Sequence, residues 1–193
     1  RKARQLVDEG AIGELHSMVA HFGGGLMWIG SHALDLLNYF NNDLPVRWVS
    51  GALEDDQELD PGGSALILYE NGVRAFVNGS ARESTSFRVE VMGSAGRIVI
   101  GNHDLELWRR NPSSEFFELL QHPFPLALPA ISPMTLFVDE LIDAIENGAP
   151  LVSNGVTATR ALELIVGIYT SSCNAGSRVE IANLDRSTII RSN

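Results

Sequence analysis

The chain has 193 residues, 45% hydrophobic and 20% charged, with a formal net charge of −10. That suffices for one packed domain and is short for two. So acidic a surface repels phosphate backbones and argues against nucleic acid as a partner, and there is no run of about 18 apolar residues to span a bilayer.

The N-terminal stretch RKARQLVDEGAIGEL has neither the apolar segment of a signal peptide nor a starting Met. It reads as an amphipathic helix using Leu6, Val7 and Ala11 that ends near Gly10, so a fragment of a longer protein is expected. A first strand fits His16–Phe22 and runs straight into Gly23-Gly24-Gly25. A helix fits Ser31–Phe40, with Leu34, Leu37 and Phe40 on one face and Ser31 as N-cap; Asn41-Asn42-Asp43 and Pro45 end it.

The middle of the chain is rich in strands. Val46–Leu53 alternates. Glu54–Asp60 with Pro61-Gly62-Gly63 reads as a loop, and its acids Asp55, Asp56, Glu58 and Asp60 as a solvated charge run. Ala65–Tyr69 and Val73–Asn78 are joined by Glu70-Asn71-Gly72, a hairpin signal because Asn and Gly tolerate positive φ. Phe87–Met92 puts Phe87, Val89 and Val91 on one side and Arg88 and Glu90 on the other; Gly93-Ser94-Ala95-Gly96 turns it back into Arg97–Ile100. Short strands fit Leu105–Arg110 and Phe116–Leu120. Trp48 and Trp108 lie in strands and read as core or interface residues. Strands of this alternating kind build a sheet with two unlike faces, one covered by helices and the other free for a partner or ligand.

Two helices follow. Ser132 caps the first, Pro133 opens it, Met134, Phe137, Val138, Leu141 and Ile145 recur at helical spacing, and Asn147-Gly148 ends it. The second spans about Val156–Cys173, with Ala158, Ala161, Leu162, Ile165, Val166 and Tyr169 on one face. A last strand fits Arg178–Ala182. The lone cysteine, Cys173, sits among apolar helical residues and is expected to be a buried structural thiol. With no disulfide possible within the chain, a reducing compartment such as the cytoplasm is the expected location.

Chemistry concentrates around Gly23–Leu37. His32 near a helix start, beside glycines that let a ligand approach the backbone, suits an acid/base role. Asp35, one turn on, would orient the imidazole or bind a substrate hydroxyl; the bland alternative is a structural His–Asp pair. Ser31 and Ser94 lie near glycines without a GxSxG elbow. His16, His21, His103 and His122 form no metal-ligand spacing, and no metal is expected. Asn102-His103-Asp104 reads as a turn, with His103 a possible substrate contact. Arg82 and Glu83 follow a strand and either face the pocket or are solvated.

The stretch GSHALDLLNYF preceded by GGGLMWI, the Leu68–Gly72 hairpin, the Val91–Gly96 segment and the paired C-terminal helices, in that order, resemble the glucose–fructose oxidoreductase and inositol dehydrogenase (Gfo/Idh/MocA) family over nearly the whole chain. The resemblance implies an α+β domain: an open mixed, mostly antiparallel sheet with helices packed on one face, like the C-terminal domain of glyceraldehyde-3-phosphate dehydrogenase. It implies that residues 1–193 form a single C-terminal substrate and oligomerisation domain, preceded in the whole protein by a Rossmann domain that binds NAD or NADP. It further implies hydride transfer with a sugar, polyol or related hydroxylated small molecule, a pocket between the two domains, and a homo-oligomer formed through the sheet face. The family's catalytic set is a Lys from the Rossmann half with an Asp and a His four residues apart. The His maps onto His32 and the acid after it onto Asp35. At the position of the other Asp stands Trp28, which carries no proton and either stacks on a sugar's apolar face or simply packs; Gly24 and Gly25 would line the pocket beside it. The chain has no GxGxxG fingerprint, and Phe22 abuts Gly23 where relatives have a longer connection. Because Trp28 replaces an acid, two further readings stand beside the dehydrogenase: a non-catalytic ligand-binding or assembly protein, and an NAD-dependent glycoside-cleaving relative.

Overall fold

In a computed structural model, residues 1–55, 59–83, 86–116, 118–125, 132–185 and 187 are described. The elements in order are α1 (Lys2–Asp8), β1 (Leu15–Gly23), a π-helical turn (Leu26–Gly30), α2 (Ser31–Phe40), β2 (Val46–Leu53), β3 (Gly63–Tyr69), β4 (Arg74–Ser80), β5 (Phe87–Gly93), β6 (Gly96–Gly101), β7 (Leu105–Arg110), β8 (Leu119–His122), α3 (Pro133–Asn147), α4 (Gly155–Cys173), β9 (Val179–Glu180) and a 3-10 turn (Ile181–Asn183).

The strands form one sheet in the order β8-β7-β6-β5-β1-β4-β3-β2-β9. All pairs are antiparallel except β1 with β4. The expected open, mixed, mostly antiparallel sheet is therefore present, and β1 lies at its centre, bonded to β4 on one side and β5 on the other.

Period-two burial fixes the faces. Met18, Ala20 and Phe22 of β1, Ala75 and Val77 of β4, Ile67 and Tyr69 of β3, and Val89 and Val91 of β5 are buried on the side where α2 and α4 lie. Leu34 and Leu37 of α2 and Leu164, Ile165 and Ile168 of α4 complete this core. The opposite face carries exposed Ser64, Arg74, Phe76, Asn78 and Arg88. There His21 Nε2 lies 2.9 Å from Glu83 Oε2, and Ser86 Oγ donates to the same oxygen at 2.9 Å. Glu83 thus belongs to the open face of the sheet, not to a pocket under the helices.

The hairpin between β3 and β4 is as expected, but only Gly72 adopts the left-handed region, at φ 86°. Asn71 contributes through its side chain, whose oxygen accepts from Val73 N at 3.2 Å. α1 is held by Arg4, whose buried guanidinium binds Asp8 at 2.7 Å and also reaches the carbonyl of Tyr39 and the amide oxygen of Asn42 at the end of α2.

Four expectations are corrected. Ser31 is not an N-cap: the π-helical turn winds directly into α2, and the Ser31 hydroxyl donates to Trp28 O at 2.8 Å. The buried face of α4 runs through Thr157, Ala161, Leu164, Ile165, Ile168 and Ser171, while Ala158 and Leu162 are exposed. Cys173 is exposed, because two residues past Ser171 the helix has turned about 200° away from the sheet. Asp60 is not a solvated member of a charge run, since its carboxylate accepts two backbone N–H groups; Asp56 and Glu58 lie outside the described residues. α3 has the expected caps, Ser132 accepting from Met134 N and Gly148 left-handed at φ 69°. Its apolar residues Met134, Phe137, Leu141 and Ile145 are all exposed.

Candidate functional site

The site grows from the end of β1. Gly23 is still in the strand, paired with Ser80, so strand and glycines are continuous in this chain. Gly24, at φ 123°, breaks the strand, and the apolar run Leu26-Met27-Trp28-Ile29-Gly30 coils into one wide turn closed by Gly30 N on Gly25 O at 3.0 Å. α2 continues from it. Its apolar residues face the sheet, which leaves His32 and Asp35, three apart and hence on one side of the helix, facing α4 and the segment before it.

Between them lies an open depression of about 200 Å³. One side is polar: Ser31, His32, Asp35 and Ser153. The other is apolar: Met27, Ala158, Ala161, Leu162 and Ile165. A second depression of about 200 Å³ adjoins it and shares Asp35 and Ser153, with Leu36, Tyr39, Asp43, Val152 and Thr157 around them. The exposure of Ala158 and Leu162 now has a reason: they form the apolar wall opposite His32.

His32 is exposed at this opening, and Asp35 is half-buried. Burial holds the Asp35 carboxyl above its ordinary value, the Asp43 carboxylate adds to this, and His32 partly offsets both. Perturbed carboxyls of this kind concentrate at working sites. A carboxyl whose folded-state value is raised contributes stability below its unfolded value and loses it as pH rises through the folded value. Ionised Asp35 is therefore a local liability at neutral pH. Replacing it with Asn is expected to leave the melting temperature at pH 7 unchanged or higher, and the difference from the parent should shrink toward pH 4. Melting curves at the two pH values check this; a clear loss of stability at pH 7 would mark Asp35 as a structural partner instead.

The remaining candidates are placed as follows. Trp28 is 71% exposed on the π-helical turn and does not line the depression. Gly24 and Gly25 lie behind the turn; Gly25 is buried against Asp60. His103 is exposed in the β6–β7 turn, which Gly101 N closes on Asp104 O at 2.7 Å. The pairing of Phe22 with Phe87 and of Arg88 with Gly101 brings that turn to the same end of the sheet as Gly23, two strands away. Ser153 went unmarked in the sequence, and Ala158 and Leu162 were expected on the packed face of α4 and not at a site. Ser153 precedes Asn154, the N-cap of α4, which is the one local signal that could have drawn attention to it.

The glycine turn does not fit the phosphates of a dinucleotide. Such a cradle needs free backbone donors at a helix start. Here Gly23 N binds Ser86 O, Gly24 N binds Ser80 O, Leu26 N binds Pro61 O, and Met27 N and Trp28 N bind Asp60. Among the described residues, no group of three or more His, Cys, Asp or Glu side chains stands together to hold a metal ion, and no helix is long and apolar enough to cross a membrane.

Comparison with known proteins gives the fold its relatives. An aldose–aldose oxidoreductase from Caulobacter crescentus, complexed with glycerol, superposes with a TM-score of 0.77 at 19% identity, covering 93% of this chain and 59% of that one. An NAD-binding oxidoreductase from Klebsiella pneumoniae gives 0.77 at 14% identity, covering 93% and 62%. An oxidoreductase from Agrobacterium radiobacter, in complex with NAD+, L-tartaric acid and magnesium, gives 0.72 at 17% identity, covering 93% and 60%. At these identities the likeness establishes the fold, and the chain spans about three-fifths of the length of the structures it matches. No curated protein matches the sequence. Residues 19–99, from the middle of β1 into β6, match the family described as the GFO/IDH/MocA C-terminal domain, and the sheet and helices around that stretch have the fold of the oxidoreductases named above.

Proposed function

We propose that this domain is the substrate-facing part of an NAD- or NADP-dependent oxidoreductase acting on a sugar, polyol or related hydroxylated small molecule. The observation that carries this reading is the depression with His32 and Asp35 on its polar side and a Met–Ala–Leu–Ile wall opposite. A sugar or polyol presents the same division, hydroxyls on one side and C–H groups on the other. His32 receives or returns the hydroxyl proton of the reacting carbon, and Asp35, held toward its protonated form, fixes a neighbouring hydroxyl. Hydride chemistry belongs to the nicotinamide, whose phosphates do not fit the glycine turn among the described residues; in this reading the cofactor is held by a further domain of the whole protein. The open sheet face, with Phe76 exposed among Arg74, Asn78 and Arg88, serves a homo-oligomer in this reading, and a lone cysteine suits the cytoplasm.

The test uses the full-length protein with a panel of aldoses and polyols and either cofactor. His32→Ala should bind NAD(H), followed by fluorescence, as the parent does, and lose on the order of 100-fold or more in kcat, the usual share of a general acid–base group. Unchanged turnover would remove His32 from the reaction. A second reading, ligand binding without turnover, is favoured by one feature: Trp28, 71% exposed, stands at the position where the family resemblance implies an acid. It predicts saccharide binding with no change at 340 nm for any substrate.

A further inference from the structure

The π-helical turn Leu26–Gly30 begins without a cap of its own, since Gly25 offers no side chain. The first N–H groups of a helical segment are orphan donors, and here the first three are met from one distant loop. Leu26 N donates to Pro61 O at 3.0 Å, Met27 N to Asp60 Oδ1 at 2.8 Å and Trp28 N to Asp60 Oδ2 at 3.1 Å. We propose that Asp60 is a positioning residue of the His32 depression, capping the turn from across the fold and fixing where Met27, Trp28 and His32 stand.

Three observations support it. Gly25 leaves room for the carboxylate and for nothing more, because a methyl group at Gly25 would overlap the carboxyl and the carbonyl oxygen of Asp60. Both carboxylate oxygens are used, one on each of two consecutive N–H groups, so the turn is held in orientation as well as in place. A negative charge at the start of a helical run is also favoured by the helix dipole. The loop is itself anchored: Glu54 N donates to Gly62 O at 2.8 Å, and the Glu54 carboxylate accepts from Ser80 Oγ and Ala81 N. Tyr169 of α4, whose hydroxyl makes no hydrogen bond among the described residues, also feels the Asp60 carboxylate; burial first and that charge second push it up to about 12. The turn passes without a break into α2, so its geometry sets the wall supplied by Met27 and the approach to His32.

The inference deepens the reading of the His32 depression as the working site, and its test needs no turnover. The full-length protein is labelled with 5-fluorotryptophan and with 13C at the histidine Cε1. Trp28 is assigned with Trp28→Phe and His32 with His32→Asn. In Asp60→Ala the Trp28 line should shift and split into more than one, the His32 line should shift, and the lines of Trp48 and Trp108 should stay. Asp60→Asn should lie between Ala and the parent, because its amide oxygen still accepts one of the two N–H groups. Unchanged Trp28 and His32 lines in Asp60→Ala would overturn the proposal. So would a joint movement of all three tryptophans with a fall in melting temperature, which is the mark of a general structural role. If Asp60→Ala does not fold, Asp60→Asn is read by the same two outcomes. Failure of His32 in catalysis would leave the spectral effect intact, which separates the two claims.

Discussion

Phe22→Ala is expected to cost about 3–5 kcal/mol, the range for emptying a buried phenylalanine site, and to lower the melting temperature by on the order of 10 °C for a chain of this size. Phe22 is fully buried at the end of β1. Its ring lies beneath Gly30, at 3.0 Å from where a Cβ would stand, and so close to Gly79 of β4 that a methyl group there would overlap it. The ring is the floor on which the π-helical turn rests, with β4 beside it. Two glycines are glycines because this ring occupies their side-chain space. That makes a reciprocal test available. Gly79→Ala alone should destabilise by about 1–3 kcal/mol through overpacking, whereas in the Phe22→Ala background the added methyl enters the vacated space. The double variant should therefore be more stable than the sum of the single effects allows, a coupling of about 1 kcal/mol or more between residues in contact. Urea unfolding of the four proteins measures it; strict additivity would mean that the ring and Gly79 do not share the space described.

Gly25→Ala is the second large effect, of about 3 kcal/mol at the upper end of ordinary overpacking. The backbone at Gly25 has φ −72° and ψ 161°, a conformation any residue adopts, so the cost is purely steric. A methyl group meets the Asp60 carboxyl and the Asp60 carbonyl oxygen, one attached to a short side chain and the other to the backbone, and neither has room to retreat without releasing the N–H groups of Met27 and Trp28. Gly72→Ala is the matched control. It stands at φ 86° with open space around its Cβ position, and should cost only the left-handed penalty of about 1–2 kcal/mol. Thermal unfolding followed by circular dichroism ranks the two; a loss at Gly25 no greater than at Gly72 would contradict the close approach of Asp60.

What the sequence revealed, and what it hid, divides along the range of the interactions. Ser31–Phe40, Leu105–Arg110, the Asn71-Gly72 hairpin and the Ser132…Gly148 caps of α3 are legible because each depends on neighbours a few residues away. His32 and Asp35 were found for the same reason, being one turn apart. The central position of β1, its parallel pairing with β4 and the placement of β9 beside β2 come from contacts between distant segments, to which periodicity is blind. The π-helical turn hides in a continuous apolar run with no period of its own. Asp60 was misread because a carboxylate in an acidic loop looks solvated, and nothing local to Asp55–Asp60 points to Met27 and Trp28. The same blindness put Cys173 in the core and Leu162 on the buried side of α4, since a helix with many small and apolar residues leaves its rotation to its neighbours.

The central placement of β1 has a consequence for synthesis of the protein. Both of its hydrogen-bonding partners are made later, β4 at residues 74–80 and β5 at 87–93. On the ribosome, Met18, Ala20 and Phe22 emerge with neither flank available, and at about 5–20 residues per second the nascent chain waits several seconds for them. During that interval the strand that leads into the His32 depression is an open edge, and the stretch most exposed to chaperones or to misassembly is the one on which the depression is later built.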